Sequence, residues 1–289
     1  MMNLTMANGM LYFMVGEEES YRMIKEAGFD GVDLSCINKK DPDILLNHHV
    51  EEAKKTKQMI EDNGLICNLA HGPFRKLFYG MKFDCSEPLY KEVVNSIEYA
   101  AIVGAKHIAL HGILTPLSAK SYQSIEYNYE FFKSLAPYAK DCGIKIGIEN
   151  VAEAMPYPYQ MRQILNMLDD PCFAALLDTG HSRLCYVAPQ HFIRDMPKGS
   201  IQALHIQDMR GIEGQDDHLL PGMGKLKWDE ILKALAEVDY DGDFNMEVHG
   251  FHKCFEVADL PVAVKLAEGV GRRCIEKLEQ FKKSEAAKA

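Results

Sequence analysis

The chain has 289 residues, 47% of them hydrophobic and 26% charged, with a formal net charge of −10 from 42 acids against 32 bases. This is ordinary globular composition with ample apolar material for a core, and the acidic balance argues against a nucleic-acid partner, which calls for a basic face. No apolar run approaches the ~20 residues of a membrane span, and the opening MMNLTMANGMLYFMV lacks the basic leader of a signal peptide.

In chain order, strand-like segments fall near 3–7, 31–35, 65–71, 106–111, 144–150, 173–178, 201–207 and 243–249. Helix-like stretches lie near 17–27, 42–63, 87–103, 121–142, 157–168, 189–196, 228–238 and 259–283, with apolar residues spaced by three and four, as at Tyr90, Val93, Val94, Ile97 and Ala101. Gly28, Gly64, Gly104 and Gly143 each close a helix shortly before a strand, so that EAGFDGVDLS, DNGLICNLAH, IVGAKHIALH and DCGIKIGIEN repeat one local pattern. Eight such units predict an α/β fold, a (β/α)8 TIM barrel forming a single domain over residues 1–289. A doubly wound open sheet is the competing arrangement, but no GxGxxG follows the first strand. The tail KKSEAAKA (282–289) is expected to be solvated and frayed. The eight cysteines, at 36, 67, 85, 142, 172, 185, 254 and 274, form no CxxC pair and read as reduced thiols of a cytoplasmic protein.

Four strands of the second half end in a metal-ligand side chain: Glu149 in KIGIEN, Asp178 in AALLD, His205 in IQALH and Glu247 in DFNME. Parallel barrel strands would bring all four to one face. Carboxylates gathered there would repel one another, and a divalent cation resolves that repulsion. The mixed carboxylate and imidazole set suits Mn²⁺, Zn²⁺, Co²⁺ or Fe²⁺ better than Ca²⁺. Further ligand-type residues follow the strand ends: His71, His111, His181, Asp216 and His218. These five are candidates for additional metal ligands or for substrate contacts. Each alone has a plainer reading as a hydrogen-bonded rim residue. Trp228 reads as a packing residue at a helix start, and the PGMG at 221–224 as a turn rather than a phosphate loop.

The segments GFDGVDL, NLAHGPF, IALHG, GIENV, LLDTGH, LHIQD, DDHLLPGMGKLKWDEI and NMEVHG resemble the xylose-isomerase-like barrel superfamily, which includes sugar epimerases, inosose dehydratases and abasic-site endonucleases. Similarity to the epimerases implies that Glu149, Asp178, His205 and Glu247 hold one divalent ion, Mn²⁺ or Zn²⁺ foremost. It implies a sugar isomerase or epimerase that moves a proton α to a carbonyl through a metal-bound enediolate. Glu149 and Glu247 would be the catalytic acid and base, and His181 and Arg210 would bind the substrate. A surface ion pair between Arg210 and Asp208 is the plainer reading of that arginine. The implied partner is a small sugar, with a homo-oligomer in keeping with relatives that pair.

Two alternatives share these residues. A dehydratase of an inosose or dehydroshikimate-like substrate would begin with the same proton abstraction. A trinuclear zinc phosphodiesterase of the abasic-site endonuclease type would use all nine: His71, His111, Glu149, Asp178, His181, His205, Asp216, His218 and Glu247. Against the latter stand the acidic charge and the wording LDTGH and IQDMRG, where the endonucleases typically read LDTCH and NDSK. A phosphorylated substrate would want a basic clamp, and Arg75–Lys76, Arg183 and Arg210 do not form a clear one.

Overall fold

The computed structural model describes residues 2–36, 43–73, 84–113, 121–152 and 154–287. Arg75 and Lys76 lie outside them. Eight short strands alternate with helices: β1 Leu4–Ala7, β2 Gly31–Ser35, β3 Ile66–His71, β4 His107–Leu110, β5 Lys145–Glu149, β6 Phe173–Asp178, β7 Ile201–His205 and β8 Phe244–Met246. All paired strands are parallel, and neighbours in the sheet are neighbours in sequence, with β8 beside β1. The remaining seam is bridged where Ile206 N donates to Asn245 O (2.8 Å) and Glu247 N to Ile206 O (2.9 Å). The result is a nearly closed (β/α)8 barrel, and the open-sheet alternative is excluded.

The principal helices are α1 Gly9–Val15, α2 Glu17–Ala27, α3 His49–Asp62, α4 Pro88–Val103, α5 Ser121–Cys142, α6 Pro158–Leu168, α7 Thr179–Leu184, α8 Pro189–Asp195, α9 Trp228–Glu237, α10 His249–His252 and α11 Leu260–Ala286. Gly28 and Gly104 end α2 and α4 in the left-handed region (φ +101° and +109°), and each amide reaches back to the last-turn carbonyls. The helix expected over 42–63 begins instead with a π-turn at Ile44–His48. The tail expected to be frayed continues α11 to Ala286, although its side chains there are largely exposed. The short α1, α7 and α10, which directly follow β1, β6 and β8, are absent from the sequence reading because each is too short to show periodicity.

Side chains two apart on a strand share a face, and this period builds the floor of the site. Leu69, Ala109, Leu176 and Ala203 form a small apolar cluster separate from the main core. His71, His111, Asp178 and His205 stand two residues further along the same strands. Gly147 and Asn245 hold the matching positions beneath Glu149 and Glu247. The ligand-type residues therefore rest on a buried, partly apolar layer at the carboxyl end of the barrel, the end where such barrels place their chemistry.

Candidate metal centre

The carboxyl ends of β5 to β8 deliver Glu149, Asp178, His205 and Glu247 to one point, with ligand atoms all within 4.8 Å of one another. None is more than 6% exposed. Parallel register sets Asp178 directly beside His205. Asn150 extends the β5–β6 ladder past its last strand residue. Its side-chain Nδ2 donates to Asp178 O (3.0 Å), and its side-chain Oδ1 accepts from Asp178 N (2.7 Å). Asp178 also caps α7, its Oδ1 accepting from His181 N at 2.6 Å, so one turn of helix swings His181 back over the barrel.

Two further sets flank the four. His71, His111 and Glu149 form one, with His71 Nε2 and His111 Nε2 at 3.3 and 3.1 Å from Glu149 Oε2. His181, Asp216 and His218 form the other, with both imidazole Nε2 atoms near Asp216 Oδ2, at 3.1 and 2.9 Å. Asp216 and His218 reach the site because the long connection after β7 doubles back. Asp208 and Leu219 exchange backbone hydrogen bonds of 2.8 Å in an antiparallel bridge. His218 sits at φ +45°, an uncommon conformation for a residue with a Cβ. It is held there by Gln207, whose Oε1 accepts from His218 N (3.0 Å). All nine residues singled out in the sequence thus converge on one end of the barrel.

The charges are strongly interdependent. Burial opposes charge on His205, yet Glu247 and Glu149 hold its pKa well above the usual imidazole range. His181 is raised in the same way, against burial, by Asp178, Asp216 and Glu149. Burial pushes the Asp178 carboxyl up to about 7 against the pull of His181. Glu149 and Glu247 resist burial because histidines surround them, and both carboxyls lie well below their ordinary range. The site is therefore balanced by protons on imidazoles, which a divalent cation would displace. Glu149 Oε2, His181 Nδ1 and Glu247 Oε2 are buried without a well-formed hydrogen bond. Buried polar atoms of this kind need a partner, and nitrogen and carboxylate donors converging on one point fit a divalent transition metal.

Several residues of the site carried no signal of their own in the sequence. Asp33 on β2 faces His205 Nε2 at 3.3 Å. Gln207, fully buried, donates to Asp216 Oδ1 (2.9 Å) and more weakly to Asp178. Room for it exists only because residue 180 is glycine: a Cβ there would lie 2.2 Å from Gln207 Cδ. His249 Nε2 stands 3.5 Å from Glu247 Oε1. Arg210 does not pair with Asp208. Its guanidinium binds Asp217 (2.6 Å) and Gln215, and its side chain is half exposed at the rim. Asp208 is buried and engaged elsewhere, accepting from the amides of Met209, Gly222, Gly224 and Leu226 and from Trp228 Nε1. The PGMG segment is therefore a turn fastened to Asp208, and Trp228 is fixed by the same carboxylate. The Arg183 guanidinium lies against Gly211.

A cavity of about 470 Å³ lies at the opposite, amino-terminal mouth of the barrel, lined in part by Lys106, His107, Lys145 and Gln202. It holds none of the ligand sets. The candidate ligand sets lie at the carboxyl end.

The model of the family described as xylose isomerase-like TIM barrel matches residues 21–269, and the chain belongs to that family. Protein y4fM of Sinorhizobium fredii is 27% identical over 255 residues, covering 80% of this chain and 81% of that protein. Among solved structures, a D-tagatose 3-epimerase-like protein superposes with a TM-score of 0.75 at 20% identity, covering 96% of this chain and 99% of the other. An IolI protein with a bound zinc atom superposes with a TM-score of 0.72 at 15% identity, covering 97% and 99%. No helix among the described residues is long and apolar enough to cross a membrane.

Proposed function

We propose that the protein is a divalent-metal-dependent isomerase or epimerase of a small carbohydrate. The observation that carries this reading is the buried set Glu149, Asp178, His205 and Glu247, with one glutamate ending β5 and the other directly following β8. The fold shared with a D-tagatose 3-epimerase-like protein and a zinc-bearing IolI protein supports it. The four residues would hold the ion, which supplies Lewis acidity to a substrate carbonyl. One glutamate removes the proton beside that carbonyl, and the other returns a proton, to the opposite face in an epimerase. A carboxylate is a weak base for a carbon acid, so the burial of both glutamates matters: a low-dielectric setting strengthens every charge interaction at the reacting carbon. His181, against Glu149 and Asp216, is placed to donate to an oxygen that gains charge. Arg210, on the rim loop beside Asp217, would hold a distal substrate oxygen. The substrate would be a single small sugar bound by one copy of the chain or by a homo-oligomer.

The test is Glu149→Gln and Glu247→Gln, each assayed for solvent proton exchange into substrate with metal content measured in parallel. Both should lose exchange while retaining metal. Full activity in either variant rejects the two-glutamate mechanism.

A second reading is favoured by the two flanking triads, which complete a three-ion donor set. Three zinc ions would suit phosphodiester hydrolysis. They would also commit both oxygens of Glu149, the Oε2 toward His71 and His111 and the Oε1 toward His205, leaving that carboxylate unable to take a proton. Ion count per chain therefore separates the readings: one ion keeps Glu149 available as a base, and three do not. A dehydratase differs only in the loss of water after the first step.

A further inference from the structure

Beneath the metal centre a line of fully buried polar side chains runs from β1 to His205. Thr5 Oγ1 donates to Asn245 Oδ1 (2.9 Å), Asn245 Nδ2 donates to Asp33 Oδ2 (2.9 Å), and the same Asp33 oxygen lies 3.3 Å from His205 Nε2. Thr5, Asp33 and Asn245 are each 1% exposed, and His205 is wholly buried. His205 Nδ1, the other ring nitrogen, points the opposite way, at Glu149 Oε1 (3.1 Å) and Glu247 Oε2 (3.4 Å). A buried carboxylate in the wall of a barrel is costly unless something uses it. Neither Asp33 Oδ1 nor His205 Nε2 completes a well-formed hydrogen bond, although the two side chains face each other, and residue 33 sits in a strand whose other members are apolar, glycine or serine.

We infer that Asp33 is a positioning residue for the metal ligand His205, and that Asn245 and Thr5 set the orientation of Asp33 in turn. The inference rests on the metal-centre reading. A cation held by Nδ1 leaves the proton of the neutral ring on Nε2, and Asp33 is the acceptor that faces it. Asp33 thereby selects the tautomer, stops rotation of the ring, and raises the basicity of Nδ1. Asn245 can serve only in one amide orientation, with its nitrogen toward Asp33. The Asp33 carboxylate, which only accepts, sets that orientation, and the Thr5 hydroxyl supports it by donating to the amide oxygen. Each member is contributed by a different strand, β1, β8, β2 and β7, and β8 and β1 pair directly beside the barrel seam. The relay thus ties ligand geometry to barrel closure.

The experiment is Zn²⁺ affinity measured by competition with a fluorescent chelator, together with thermal unfolding of the metal-free protein. Asp33→Asn should weaken Zn²⁺ binding about 10–100-fold, the range found when such outer partners are removed. Thermal unfolding of the metal-free protein checks that the variant is folded, so that a lower affinity is read from a native structure. Thr5→Val should weaken binding by a smaller factor, and Thr5→Ser, which keeps the hydroxyl, should restore it. The Thr5 pair stands even if Asp33→Asn fails to fold. Asp33→Asn within twofold of wild type, or Thr5→Ser as weak as Thr5→Val, overturns the inference while leaving the metal centre intact. Wild-type protein that binds no Zn²⁺ overturns the metal centre itself.

Discussion

Gly180→Ala is a substitution for which local and tertiary reasoning give opposite signs. Gly180 lies within α7 and has no positive φ, so intrinsic propensity alone predicts that alanine stabilises by about 0.5–1 kcal/mol. The surroundings predict the reverse. A Cβ would stand 2.2 to 2.5 Å from the Gln207 carboxamide atoms, and Gln207 is wholly buried with its amide committed to Asp216, Asp178 and the His218 backbone. Displacing it adds an overpacking cost of about 1–3 kcal/mol and loses a hydrogen bond to a charged group of about 1.5–3 kcal/mol. After the helix gain, the net destabilisation is about 1.5–5.5 kcal/mol. Urea unfolding of the metal-free protein at fixed pH measures it, with unchanged slope confirming a change in stability alone. Gln207→Ala empties the space, so the double variant should be more stable than additivity predicts by about 1–2 kcal/mol. A Gly180→Ala protein as stable as wild type, or strict additivity of the two changes, refutes the argument.

Two further outcomes follow from buried groups outside the ligand set. Asp208→Ala strips the acceptor shared by four backbone amides and Trp228 Nε1, and should cost about 3 kcal/mol or more. Because Trp228 is the chain's single tryptophan, its emission should shift to the red in native buffer. An unchanged spectrum and midpoint would contradict the fastening role. His252 is fully buried with neither ring nitrogen hydrogen-bonded, and burial, then His249, pushes its pKa down to about 3. The unfolded chain takes up this proton below about 6.5 and the folded one does not. The stability His252 contributes is thus present above that pH and lost as pH falls toward 3, by about 2 kcal/mol at pH 5. His252→Leu should flatten the pH dependence of unfolding by that amount, and an identical slope in both proteins counts against the assignment.

The candidate site was legible in sequence for a topological reason. Parallel strands in sequential order bring every strand end to one face, so residue type at a strand terminus is informative before any contact is known. Glu149, Asp178 and His205 close β5, β6 and β7, and Glu247 follows β8 directly. The supporting residues were opaque because their partners are distant. Thr5 and Asn245 are 240 positions apart, and Asp33 is an acid within a short strand, where alternation alone suggests a solvent-facing side chain. The plainer reading of Arg210, an ion pair with Asp208, misses its actual partner for a related reason. Asp208 is nearer in sequence, but the turn sends Asp208 inward and returns Asp217 to the guanidinium. Gly180 read as part of a family phrase, whereas its physical cause, the Gln207 amide, comes from the next strand's end.

The account turns on whether the centre moves a carbon-bound proton. Metal-loaded protein incubated with a panel of ketoses and keto-sugars in D₂O, followed by NMR, tests this directly. The prediction is deuterium at the carbon beside the carbonyl, dependent on added divalent metal and without loss of water. Unlabelled sugars throughout, alongside three zinc ions per chain and cleavage of abasic-site DNA, would contradict it.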